Sequence, residues 1–159
     1  MNVLDQLHWT YGTFPVADLW DDGAGAVTTD IVNCESAVGV FYLIMRGNCN
    51  AGTGTALFIA QACSTAAAAA TTDVPFWYRE STTLDTWGVW THVAATGWTC
   101  TAGDNTMIQI FVPAGELSAA GYAYCRLSMT EPVDDPCVGS IATAVVQTRY
   151  QHVPATLLT

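Results

Sequence analysis

The chain contains no lysine. Its fixed cations are Arg46, Arg79, Arg126 and Arg149, set against 14 Asp and Glu, for a formal net charge of −10. Four cations cannot neutralise a run of phosphates, so nucleic acid is not an expected partner. An anionic membrane surface repels such a chain for the same reason. Charge of either sign is scarce, at 11% of residues, against about one-quarter in an ordinary soluble domain. No run reaches the ~20 apolar residues of a membrane helix; Val38–Met45 is only strand length. Met1–Thr13 carries Asp5 and His8 and lacks a basic start and a continuous apolar core. It is therefore not read as a secretory leader. The expectation is synthesis in a cytoplasm, or a mature product whose leader was removed.

Motifs of catalysis are missing as well. There is no G-x-S-x-G, no H-E-x-x-H and no phosphate-cradling glycine loop. Gly52-Thr53-Gly54 reads as a turn, since no lysine or helix follows. Asp21-Asp22 and Asp134-Asp135 lack the alternation of a calcium loop and read as solvated turn residues. His92 sits in a strand-like stretch with neither a nucleophile nor an orienting acid in a recognisable motif. No two cysteines have C-x-x-C spacing and the three histidines are scattered. The expectation is a non-enzyme, with no catalytic, cofactor or metal residues.

What is present is apolar and strand-forming. Hydrophobic residues make up 51% of the 159 positions, enough for one domain with a substantial core. With so little charge, part of the apolar surface is expected to be covered by copies of the chain or by a partner. Val38–Arg46, Thr55–Cys63, Trp87–Ala95, Thr106–Pro113, Tyr122–Thr130 and Ser140–Arg149 read as strands, the first two as a hairpin. Pro113 should end its strand, with a short turn through Ser118. Ser64–Ala70 is too short for a stable helix and reads as a mobile loop or single turn. The pattern predicts an all-β fold, an antiparallel β-sandwich or jelly roll. Residues 1–28 lack alternation and read as an irregular N-terminal arm; residues 29–159 form a single sandwich domain.

Six cysteines allow fifteen disulfide pairings. Cys125 shares a strand face with Ala123, Leu127 and Met129 and reads as a buried free thiol. Cys34, Cys49, Cys100 and Cys137 lie near loops and are the candidates for pairing. Large aromatics cluster in two places. Trp9, Tyr11, Phe14 and Trp20 stand on the N-terminal arm, and a free tail carrying them is costly to leave in water. These four, with Trp90, are the candidate interface residues. Trp77, Trp87, Trp90 and Trp98 crowd into one segment. They fill a core or anchor a protein interface; the alternative is a carbohydrate-binding module with an aromatic platform.

The order of elements resembles the small cement, or decoration, proteins of tailed-bacteriophage heads, particularly the jelly-roll cement type. The resemblance runs from Thr29-Asp30-Ile31-Val32, through Phe41–Met45 and Leu57–Gln61, to Tyr122–Leu127 and Gly139–Val146. It finishes on the polar, proline-ended stretch Gln147–Pro154. It is one of pattern, without a diagnostic motif; Phe76–Trp98 and the numbers of cysteine and tryptophan depart from it. It implies a non-enzymatic virion subunit that self-associates as a homodimer or homotrimer. Such a subunit binds the major capsid protein and stabilises contacts between capsomers on the outside of an icosahedral head. It would be synthesised in the host cytoplasm.

Overall fold

The computed structural model describes residues 7–16, 18–20, 26–49, 55–83, 85–132 and 136–147. Asp21, Asp22, Asp134, Asp135, the Gly52–Gly54 turn and the end of the chain from 148 lie outside the described residues.

Two antiparallel sheets pack face to face. The first runs β1 (Leu7–Val16), β13 (Cys137–Gln147), β4 (Ala37–Cys49), β11 (Met107–Pro113), β7 (Phe76–Thr83) and β8 (Thr86–Trp87), with β9 (Thr91–Val93) also on β7. The second runs β10 (Trp98–Thr99), β5 (Leu57–Cys63), β12 (Tyr124–Thr130) and β2 (Val27–Thr28). In that sheet β3 (Val32–Asn33) also pairs with β12, and β6 (Thr71–Val74) with β5. The one helix among the described residues is the six-residue α1 (Ala114–Ala119), where the sequence predicts a turn after Pro113. The fold is therefore the expected all-β antiparallel sandwich.

Period-2 alternation builds the core. Val40, Tyr42 and Ile44 of β4, Ile108, Ile110 and Val112 of β11, and Ile141 and Val145 of β13 turn inward from the first sheet. Phe58, Ala60 and Ala62 of β5 and Cys125, Leu127 and Met129 of β12 meet them from the second.

Several expectations need correction. Val38–Arg46 and Thr55–Cys63 are not a hairpin: β4 is flanked by β13 and β11, while β5 crosses to the other sheet and pairs with β12. Trp87–Ala95 is not one strand. It splits into β8 and β9, both of which pair back onto β7, a strand the sequence reading did not find. The Ser64–Ala70 loop closes on itself, with Ser64 N donating to Ala70 O at 2.9 Å and Ala70 N to Ser64 Oγ at 3.0 Å.

The stretch expected as an arm also joins the sandwich. β1 lies along β13 from Leu7 opposite Val146 to Val16 opposite Gly139, with register shifts after Tyr11 and after Thr13. Those shifts break the alternation that would have marked a strand. Gly12 permits the close approach, because a Cβ there would stand 2.5 Å from Thr143 Oγ1. Residues on both sides of position 28 pair with β12, through β2 and β3.

Candidate functional site

Residues paired directly across antiparallel strands point to the same face of a sheet. One such row crosses the whole first sheet. Trp9 of β1 stands opposite Ala144 of β13, Ala144 opposite Phe41 of β4, and Phe41 opposite Phe111 of β11. Phe111 stands opposite Trp77 of β7, and Trp77 opposite His92 of β9. Five strand-to-strand steps of about 4.8 Å make a row about 24 Å long. It lies on the face turned away from the core. Trp9 is 49% exposed and Trp77 39%.

Trp90, 40% exposed, joins this row from the segment between β8 and β9. With Phe41, Phe111 and Trp77 it lines an open groove of about 340 Å³. Beside it Val89 is 82% exposed. Gly39 makes room for the Phe111 ring, whose nearest carbon would lie 2.7 Å from a Cβ at that position. Arg79 stands one row along, opposite Gln109. Its Nε donates to Gln109 Oε1 at 2.6 Å, and its guanidinium lies 4.9 Å from the Trp87 ring and 4.8 Å from the Trp90 ring. Cation–π attraction thus holds both indoles in place. His92 packs on Trp77 with ring centroids 5.0 Å apart.

Among the described residues, the strands of this face present no outward carboxylate. Among the strands of this sheet the sequence places one acid, Glu80. It shares a row with buried Ile108 and reaches Arg46 and Thr101 instead. The outer face of the second sheet is different. There Arg126 Nε donates to Gln61 Oε1 at 2.9 Å, and Gln61 Nε2 donates to Asp73 Oδ1 at 3.0 Å. That chain of polar groups is suited to water.

The expected interface residues divide. Trp9 and Trp90 both lie on the aromatic face. Tyr11 and Phe14 belong to β1, but their side chains are outside the described set. Trp20 lies in the core, wholly buried and edge-to-face with Phe58 at 5.5 Å. It is held there because Leu19 N donates to Cys137 O at 2.7 Å and Asp18 Oδ1 accepts from Trp20 N at 3.3 Å. Of the clustered tryptophans, Trp98 turns away to stack on Tyr78 at 3.7 Å and Phe58 at 5.8 Å. Phe41 and Phe111 were legible only as strand residues; their place on the face needs the pairing register.

A second, polar cavity of about 390 Å³ is lined by Arg46, Glu80, Ser81, Thr101, Asp104 and Thr106. Its polar groups are engaged in hydrogen bonds, some with one another and some with neighbouring backbone. Arg46 donates from Nε to Thr106 Oγ1 at 2.9 Å and from Nη1 to Thr101 O at 2.8 Å. Glu80 accepts from Thr101 N at 2.9 Å and Thr101 Oγ1 at 2.7 Å. Ser81 Oγ accepts from Met107 N at 2.7 Å, and Asp104 Oδ1 from Cys49 N at 2.9 Å. These bonds pin the 99–106 loop against β4 and β7.

Cys49 and Cys137 are disulfide-bonded across β4 and β13. Both belong to the four candidates for pairing; of the other two, Cys34 is a buried free thiol, as are Cys63 and Cys125, while Cys100 is buried with its sulfur accepting from Ala56 N at 3.2 Å. Burial pushes the Cys125 thiol up to about 12, partly offset by the Tyr42 hydroxyl that donates to its sulfur at 3.4 Å. Burial also raises Cys34, Cys63 and Cys100. Among the described residues no three His, Cys, Asp or Glu side chains form a metal-binding group.

Compared with protein-family models, with curated proteins and with solved structures, the chain finds no match.

Proposed function

We propose that this chain is a non-enzymatic structural subunit of a virion. It decorates the outside of an icosahedral phage head and stabilises contacts between capsomers of the major capsid protein. The observation that carries the protein-binding part of this reading is the acid-free aromatic face. A chain of net charge −10 has kept every carboxylate off the outward positions of its larger sheet and placed there two exposed tryptophans and two phenylalanines. Interfaces are enriched in aromatics and depleted of acids at their centres. The absence of lysine fits as well, since ordering each such side chain costs up to about 2 kcal/mol. The capsid as partner rests on the resemblance of strand pattern.

The groove also has dimensions that suit a sugar ring. Its polar neighbours, however, Arg79 and Gln109, are bound to each other at 2.6 Å, and this favours a protein surface over a glycan. The test is immuno-gold or cryo-electron microscopy of particles from the native source, together with a glycan screen. Ordered density or label at fixed symmetry positions of a shell is expected, with no glycan response. Absence of the protein from any particle, with saturable glycan binding quenched by Trp90→Ala, would replace this reading by the carbohydrate one.

A further inference from the structure

We infer that the aromatic face binds an apolar peptide segment that carries one acid. An apolar side chain of the segment fills the groove between Trp77, Trp90, Phe41 and Phe111, and its carboxylate pairs with the terminal nitrogens of Arg79. The inference rests on the reading of that face as a protein-docking surface and names the chemistry of its occupant.

Arg79 is the observation that carries it. The chain has 14 acidic residues to 4 arginines, so an arginine that finds no acid stands out. Arg46 lies 3.8 Å from Glu80. Arg126 is bound to Gln61, and Gln61 in turn to Asp73. Arg79 differs from both. Its Nε donates to Gln109 Oε1 at 2.6 Å, Gln109 leads on to no acid, and Arg79 makes no ion pair among the described residues. Its guanidinium carbon lies over the Trp87 and Trp90 rings. The rings hold the cation but offer it no oxygen. Both terminal nitrogens keep donors, in the fork that a carboxylate accepts two at a time. The side chain is already fixed, so pairing costs it little further entropy.

The groove stands beside this fork. Trp90 lines it and is one of the two rings under the guanidinium, 4.8 Å away. Trp77, another wall, precedes Arg79 by two positions on the same outward face of β7. Two residues of extended strand span about 7 Å. An extended segment repeats its own same-side residues at that spacing, so an apolar residue and an acid two positions apart reach both features at once.

Charge narrows the occupant. A polyanion is repelled by a chain of net charge −10 and finds a single arginine here. A basic segment meets Arg79 and, among the described residues, no outward acid on these strands. A single acid set among apolar residues meets one unpaired cation and an apolar groove.

Selection from a random dodecapeptide display library on the immobilised full chain tests this, followed by titration of the enriched peptides, blocked at both ends, against tryptophan fluorescence. Enriched sequences are expected to place Leu, Phe or Trp two positions from an Asp or Glu. Changing that acid to its amide should weaken binding to the unaltered protein by at least about tenfold. Arg79→Gln should abolish the difference between acid and amide peptides. Arg79→Lys should restore only part of it, since a point charge lacks the fork. Trp77→Ala should weaken both peptides, while Thr72→Ala on the opposite sheet leaves them unchanged. Circular dichroism and thermal unfolding of each variant establish that it folds. Apolar sequences enriched without an acid, or basic ones, would overturn the pairing with Arg79 and leave the docking surface standing. No enrichment above an empty support, or an acid preference that survives Arg79→Gln, would overturn the inference. An acid preference that depends on Arg79, with no protein on any particle, would uphold the site and overturn the capsid reading instead.

Discussion

Trp9 and Phe41 meet edge to face, ring centroids 6.3 Å apart and planes at 87°, across a strand that belongs to neither of them. The strand between is β13, and the residue beneath the contact is Ala144, wholly buried. A small residue between two large rings lets the rings close over it. The contact ties the N-terminal edge strand to the centre of the sheet and begins the aromatic row that ends at His92.

This contact yields the first prediction. A double-mutant cycle on Trp9→Ala and Phe41→Ala, read by urea unfolding, should give a coupling of about 0.5–1.5 kcal/mol. A coupling of zero would mean that β1 leaves the sheet in solution and behaves as the arm that the sequence suggests.

Trp20 and Trp90 form the second test, because the sequence groups them and the structure separates them. Trp20→Ala empties a wholly buried site and should cost about 3–5 kcal/mol. Trp90 is 40% exposed, and its loss should cost no more than about 1 kcal/mol of monomer stability. Equal losses in denaturant titrations would contradict the placement of one in the core and the other on the face.

The contrast shows what could be read from the chain. Strict alternation over Ile108–Val112 and Cys125–Met129 made β11 and β12 legible, down to the inward thiol of Cys125. β7 hid because its outward residues, Trp77 and Arg79, are as bulky as its inward Phe76 and Tyr78, so no hydrophobic period marks it. β1 hid behind two register shifts. The aromatic face was out of reach for a different reason. Trp9, Phe41, Phe111 and Trp77 are far apart in sequence, and only strand order brings them into one row. Trp90 could be singled out as one of four tryptophans crowded into one segment, but nothing local said what it would meet.

The disulfide supplies the third prediction. Cys49 and Cys137 close an 88-residue separation at one end of the β4–β13 pair. Cys49→Ser should lower stability by about 2–4 kcal/mol, with the far-ultraviolet spectrum unchanged, since the sandwich core does not depend on the bridge. Thiol labelling of the native protein should leave Cys34 and Cys125 unmodified until denaturant is added. Unfolding by reductant alone would show that the bridge is required for folding and would sink the account of a chain folded in a reducing cytoplasm.

The fourth concerns alkaline pH. The Cys125 thiol titrates near 9.0 when exposed and near 12 in the fold. Below pH 9 it is protonated in both states and its stabilising contribution is fully present. Between pH 9 and 12 the unfolded chain releases a proton that the folded chain keeps, so stability falls as pH rises. Tyr42, raised by burial and by its neighbour Cys125, acts in the same direction. Urea midpoints measured from pH 8 to 11 should be level at first and then decline, with a shallower decline in Cys125→Ala. A midpoint that rises with pH would be inconsistent with this burial.

The fifth concerns the buried Arg46. Its side chain is 2% exposed and lies 3.8 Å from Glu80. Arg46→Ala removes the donor to Thr106 and Thr101 and leaves Glu80 without its cation, at a cost of about 3 kcal/mol. Arg46→Ala should also speed amide exchange through the 99–106 loop. An unchanged exchange rate would mean that the loop is held by other contacts.

Hydroxyl-radical footprinting of the free subunit and of the assembled state, read residue by residue, tests the central claim most directly. The account predicts that oxidation of Trp77, Trp90, Phe41 and Phe111 drops sharply on assembly, while Tyr124 and Leu57 on the opposite sheet react equally in both states. Equal oxidation of the four aromatics before and after assembly would contradict it, because the acid-free face would then be a surface that nothing covers.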